Sequence, residues 1–148
     1  MTAAAPFRLE DSLPYLLSRA ALAANGDLDR AMRRLGAEGV VWRALLALDG
    51  RDGLTVTGLG RAALVAQATM SKALTRMLAA DLVCVAPDGA RLPDRRATWV
   101  SITEAGRRMA GLVAAEAAAH EAAFLAHHPA FDAAEVRGAL AGVGELPL

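Results

Sequence analysis

The sequence predicts a mostly helical fold with one small β-hairpin, and three observations predict it. Apolar residues recur at three- and four-residue steps through most of the chain. Two short runs, Leu82 to Val85 and Ala97 to Ile102, carry β-branched residues and flank a Pro87-Asp88-Gly89 turn. No internal repeat or low-complexity linker divides the 148 residues, so one domain is expected.

The first helix is read from Leu13 to Leu35, with Leu13, Leu16, Leu17, Ala20, Ala24, Leu28, Met32 and Leu35 on one stripe. Asn25-Gly26 interrupts it and is a candidate kink, and Gly36 is a natural stop. Glu38 to Leu48 forms a second helix with Val41, Trp42, Leu45 and Leu46 on its apolar side. Asp49-Gly50 and Asp52-Gly53 mark a turn. Thr55 caps a third helix to Ala63, and a fourth runs from Gln67 to Ala80. After the hairpin, Thr103-Glu104-Ala105-Gly106 starts a long helix that reaches His128 and stops at Pro129. Asp132 caps a last helix, Ala133 to Val143.

Composition limits the core. Hydrophobic residues make up 55% of the chain, but much of that is Ala, and only three Phe, two Trp and one Tyr supply large aromatic area. Ala-rich helices with few anchors point to a partner subunit that covers their exposed faces. Net charge is zero, yet Thr55 to Thr103 holds six basic and three acidic residues, so the middle is basic and the ends slightly acidic. The single cysteine, Cys84, excludes an intrachain disulfide; among valines in a strand it reads as a buried, inert thiol. The start of the chain lacks the pattern of a signal peptide, and the stretch from Ala110 to Ala130 reads as too polar for a bilayer span. A cytoplasmic protein with no membrane partner is expected. No Gly-rich phosphate loop, catalytic Ser/His/Asp spacing or apolar acidic pair is present, so neither catalysis nor a cofactor is indicated.

The order of elements is that of a winged helix-turn-helix core flanked by terminal helices. On the fourth helix, Met70, Leu74, Met77 and Leu78 form the expected core side. The other side carries Ala68, Lys72, Thr75 and Ala79, flanked by Thr69, Ser71 and Arg76, with no acid before Asp81. Small residues permit close approach to a major groove, hydroxyls bond phosphate or base edges, and Lys or Arg reaches phosphate or guanine. An ordinary solvated helix face explains that composition equally well. The hairpin adds Arg91, Asp94, Arg95 and Arg96 at its tip. An Arg on such a tip can enter a minor groove, and Asp94 can fix a neighbouring Arg by a charge-assisted hydrogen bond.

Three stretches resemble the multiple-antibiotic-resistance regulator (MarR) family. They are Leu54-Thr55-Val56-Thr57-Gly58-Leu59, then Gln67 to Met77, then Asp94-Arg95-Arg96-Ala97 followed by Val100-Ser101-Ile102-Thr103-Glu104-Ala105-Gly106. The last is the most specific, since an Asp-Arg-Arg tip stands at a set distance before an Ile-Thr-Glu-x-Gly helix start. The likeness spans residues 12 to 145. It implies a homodimer with interlocking terminal helices (1–36 and 104–148) and a DNA-binding unit between them (37–103). It further implies a double-stranded DNA operator, repression, release by a small aromatic or amphipathic effector, recognition-helix contacts from Gln67, Ala68, Thr69, Ser71, Lys72 and Arg76, and a wing-tip Arg95 or Arg96 organised by Asp94. Tyr15, Arg19, Met32 and Trp42 are candidates for the effector pocket, with core packing the plainer role for each. Departures from the family pattern are Asp81 in place of Gly, Gly58 in place of Glu and Ala66 in place of a polar cap.

Two alternatives remain at this stage. One is a dimeric ligand-binding or interaction module with weakened DNA binding. The other is a regulator that responds to metal or thiol chemistry through Cys84 or through His120, His127 and His128, although no metal site is assigned. Trp99 is expected on the outer face of the wing strand, opposite Val100 and Ile102.

Overall fold

The computed structural model describes residues 7–86 and 98–143. After a single 3-10 turn at Leu9–Asp11, the elements are α1 (Leu13–Arg34), α2 (Val41–Leu48), β1 (Leu54–Thr55), α3 (Val56–Ala62), α4 (Gln67–Ala79), β2 (Val83–Ala86), β3 (Trp99–Ile102), α5 (Glu104–His127) and α6 (Ala133–Ala141). The mostly helical class with a small β-wing is therefore observed. The three strands form one antiparallel sheet in the order β1-β3-β2.

The helix ends follow from local chemistry. Pro14 sits in the first turn of α1, where its missing N–H costs no hydrogen bond. Helix α1 runs unbroken through Asn25-Gly26. It closes with Gly36 at φ +76°, Gly36 N–H donating to Arg33 O at 3.0 Å and Ala37 N–H to Met32 O at 2.9 Å. That paired closure is a Schellman motif, which requires a left-handed residue. The same closure ends α3 with Leu64 and α4 with Asp81 in the left-handed position, both at φ 56°. Asp81 thus occupies the conformation that favours glycine, and its short polar side chain makes it one of the less strained substitutes. The N-caps Thr55, Thr103 and Asp132 each accept a hydrogen bond from a first-turn amide.

The structure corrects the sequence reading at several points. Helix α2 begins at Val41 rather than Glu38, because Gly39 adopts φ +61° and a turn intervenes. Strand β1 was not expected: Leu54 pairs with Val100 and Thr55 with Trp99. Two residues cannot display an alternating pattern, so only the distant partner strand reveals them. Leu78 is 41% exposed, whereas Met70, Ala73, Leu74 and Met77 are buried. At 100° per residue Leu78 lies about 90° from the centre of that buried stripe, so it sits at its margin.

The core gathers the C-terminal part of α1 (Leu28, Met32), Ala37, Val40, most of α2, Leu59 and Ala63, the inner side of α4, Leu82, Val83, Val100, Ile102, and Ala110 and Val113 of α5. Everything beyond those residues is thinly covered. Helix α5 buries only Gly106, Ala110 and Val113 of its 24 residues, and α6 buries none. Leu13, Leu16, Leu17, Leu22, Leu112, Leu140 and Val143 are exposed. Within α5 an 18-residue window reaches mean hydropathy 1.2, so by length and composition this helix could cross a membrane, contrary to the expectation from its polar interruptions.

Candidate nucleic-acid interface

Helices α3 and α4 and the tight turn between them build the site. Thr55 Oγ1 accepts from Gly58 N–H at 3.0 Å and starts α3, so the cap survives without an acidic partner at position 58. Leu59 is fully buried and pins α3 to the core. Gly60 lies close to the turn: a Cβ there would meet Val65 O at 3.1 Å. Arg43 of α2 donates from Nε to Ala63 O at 2.9 Å and supplies a partner for a carbonyl at the α3 end. Its guanidinium also lies 5.5 Å from the ring centroid of Trp42.

Helix α4 then projects from this frame. Met70, Ala73, Leu74 and Met77 face the core, and Gln67, Ala68, Thr69, Ser71, Lys72, Thr75, Arg76 and Ala79 are all exposed. The structure therefore brings the eight residues together on one outward surface. Ala66 provides no side-chain cap, so the first amides of α4 have no side-chain acceptor. Thr75 Oγ1 donates back to Ser71 O at 3.2 Å. Lys72 has no ion-pair partner among the described residues. Arg76 does: its Nη1 lies 3.4 Å from Glu38 Oε1 in the α1–α2 corner. Glu38 and Arg43 were not legible as site residues, because each acts on an element distant in sequence.

The wing sheet follows α4. Strands β2 and β3 pair from Val83–Ile102 to Ala86–Trp99. Val100 and Ile102 are buried, as expected. Cys84 is exposed, which corrects the reading of a buried thiol. Successive strand residues face opposite sides, so Val83 enters the core and Cys84 leaves it, with Sγ 3.7 Å from Ser101 O. The Trp99 indole lies over Gly53, whose φ is +144° and whose position would place a Cβ 2.3 Å from Trp99 Nε1. Arg91, Asp94, Arg95 and Arg96 lie outside the described residues.

A polar seam joins the wing to α5. Thr103 Oγ1 accepts from Gly106 N–H at 2.9 Å and donates to Asp81 O at 2.6 Å. Thr103 N–H donates to Leu82 O at 3.1 Å. Gly106 is required here because a Cβ would lie 2.0 Å from that same Leu82 oxygen.

The four effector-pocket candidates do not converge within the chain. Tyr15 and Arg19 form a cation–π pair at 5.8 Å near the start of α1. Met32 is fully buried and Trp42 half-buried against the core. Tyr15 and Met32 are about 25 Å apart along α1 at 1.5 Å per residue. The Trp42 Nε1 donor is buried without an acceptor among the described residues. His120 Nε2 lies 2.7 Å from Ala24 O and His127 Nδ1 2.7 Å from Ala123 O. Among the described residues no three His, Cys, Asp or Glu side chains cluster as metal ligands.

An outward helix-turn-helix face beside a three-stranded antiparallel wing defines a winged helix-turn-helix protein. A MarR family model matches residues 35–92. A MarR-family transcriptional regulator of Silicibacter pomeroyi is similar in structure at 31% identity, with TM-score 0.73 over 92% of this chain and 88% of that one. A second from the same organism, strain DSS-3, shares 29% identity with TM-score 0.76 over 93% and 96%. CouR from Rhodococcus jostii RHA1, solved with p-coumaroyl-CoA, shares the fold at 18% identity and TM-score 0.77 over 93% and 95%. No curated protein matches the chain. The chain belongs to the MarR family of transcription regulators.

Proposed function

We propose that this protein is a homodimeric, sequence-specific DNA-binding repressor that a small aromatic or amphipathic effector releases from its operator. The observation that carries the reading is the exposed face of α4, where small and hydroxyl residues surround Lys72 and Arg76 and no acid of α4 intervenes. Such a face fits a major groove. Arg91, Asp94, Arg95 and Arg96 of the wing complete the contact in the adjacent minor groove. CouR, a relative in fold, has been solved on a 23-mer DNA duplex, which supports the reading by analogy.

The uncovered apolar surface supports the dimer. Residues 1–36 and 104–148 are assigned to the subunit interface and 37–103 to DNA binding. A second copy of α1, α5 and α6 removes the exposed leucines of α1, α5 and α6 from water. It also explains the hydropathy of α5 without a membrane. The effector is assigned to the dimer, where Tyr15 and Arg19 of one subunit can approach the half-buried Trp42 of the other, whereas Met32 is fully buried and stays in the core. Duplex DNA as target places the protein in the cytoplasm.

A mobility-shift titration with DNA flanking its own gene, repeated across a salt series, tests the proposal. A specific shift with a steep salt slope is expected. Lys72→Ala weakens or redirects binding, and Arg95→Ala and Arg96→Ala weaken it. No fragment binding above mixed-sequence DNA at moderate salt refutes the proposal.

A further inference from the structure

We infer that Glu38 is an anionic latch that competes with DNA phosphate for Arg76 and so sets how strongly α4 grips the duplex. The inference rests on the DNA-binding reading above and names a positioning residue outside the helix-turn-helix.

The Schellman closure of α1 buries Ala37 and turns the next residue outward. Glu38 there meets two cations. Its Oε1 lies 3.4 Å from Arg76 Nη1 of α4, and its Oε2 lies 3.7 Å from Arg33 Nε of α1. Beneath the pair is an open cleft of about 220 Å³, walled by Gly36, Val41, Met77, Ala80 and Leu82. At this point the α1–α2 corner and the C-terminal half of α4 face each other across a gap that the ion pair spans. All three charged side chains are at least half exposed, so the pair is weak and open to exchange.

Arg76 shares its helix stripe with Lys72 and Thr69, four and seven residues earlier. A phosphate arriving along that stripe finds Arg76 already neutralised by a carboxylate. Either Glu38 keeps the arginine, or the arginine leaves and Glu38 recruits a cation from solution. Both outcomes reduce net counterion release, by up to about one ion on a slope of roughly 0.9 per phosphate. Arg33 holds the carboxylate toward α4 and links the latch to α1.

The experiment measures binding of sheared mixed-sequence duplex DNA by the wild type, Glu38→Gln, Arg76→Ala and the double variant across a salt series. The side chains are exposed, and circular dichroism checks that each variant folds. Glu38→Gln is expected to tighten binding about two- to fivefold at low salt, the range of an exposed ion pair. Its salt slope steepens by up to about one. In the Arg76→Ala background the same substitution changes nothing. An unchanged affinity and slope for Glu38→Gln overturns the latch, as does a gain that persists without Arg76. If the wild type itself fails to bind, the DNA-binding reading falls with it, so the two failures are told apart.

Discussion

Replacing Gly106 by Ala tests whether the wing-to-α5 seam carries the fold. The new Cβ would stand 2.0 Å from Leu82 O, 2.7 Å from Ile102 Cγ1 and 3.0 Å from Leu82 C. Two of these neighbours are backbone atoms, so no side-chain rotation relieves them. Either α5 lifts by more than about 1 Å or the Leu82 carbonyl turns away. The carbonyl is already committed to Thr103 N–H at 3.1 Å, and Leu82 N–H closes α4 on Met77 O at 2.9 Å. Overpacking of this kind costs about 1–3 kcal/mol, and the weakened hydrogen bond adds about 1 kcal/mol. The better helix propensity of Ala returns up to about 1 kcal/mol. The net loss is about 1–3 kcal/mol, or a Tm lower by roughly 3–12 °C for a chain of this size. Thermal unfolding followed by circular dichroism at fixed protein concentration measures it, the concentration being held because the proposed dimer would shift Tm by mass action. A Tm within 2 °C of wild type, or above it, would refute the close-approach argument.

Two further substitutions probe the helix ends. Leu64→Gly relieves a left-handed leucine that is 65% exposed in the helix-turn-helix turn; relief of about 1–2 kcal/mol against about 0.5–1 kcal/mol of added chain entropy predicts a gain of roughly 0.5–1 kcal/mol in denaturant titration, and a loss would contradict the assigned strain. Thr103→Val removes the α5 cap and the bond to Asp81 O while keeping the shape; it is expected to lower the urea midpoint by about 1–2 kcal/mol of stability with the m-value unchanged, and an unaltered midpoint would show that the seam is not held by that hydroxyl.

Much of the fold was legible locally. Periodicity placed α1, α4 and α5 within a residue or two, and Thr55 and Asp132 cap where their side chains predict. The outward face of α4 was legible as well, because 100° of rotation per residue fixes which side chains share a side. The wing-tip residues, which carried most of the resemblance, fall outside the described residues and remain a proposal.

What the sequence by itself determined is therefore the set of features that depend on residues within about two helical turns of each other: helix spans, caps, stops and the composition of one face. The tertiary structure alone decided the rest. It paired Leu54-Thr55 with β3, aimed Cys84 outward, left Leu78 at the margin, set Glu38 against Arg76, and made Gly106 necessary by bringing Leu82 O against it. Each of those depends on a partner far along the chain. Helical periodicity encodes a direction from the helix axis, and the neighbour met in that direction exists only once the chain has packed.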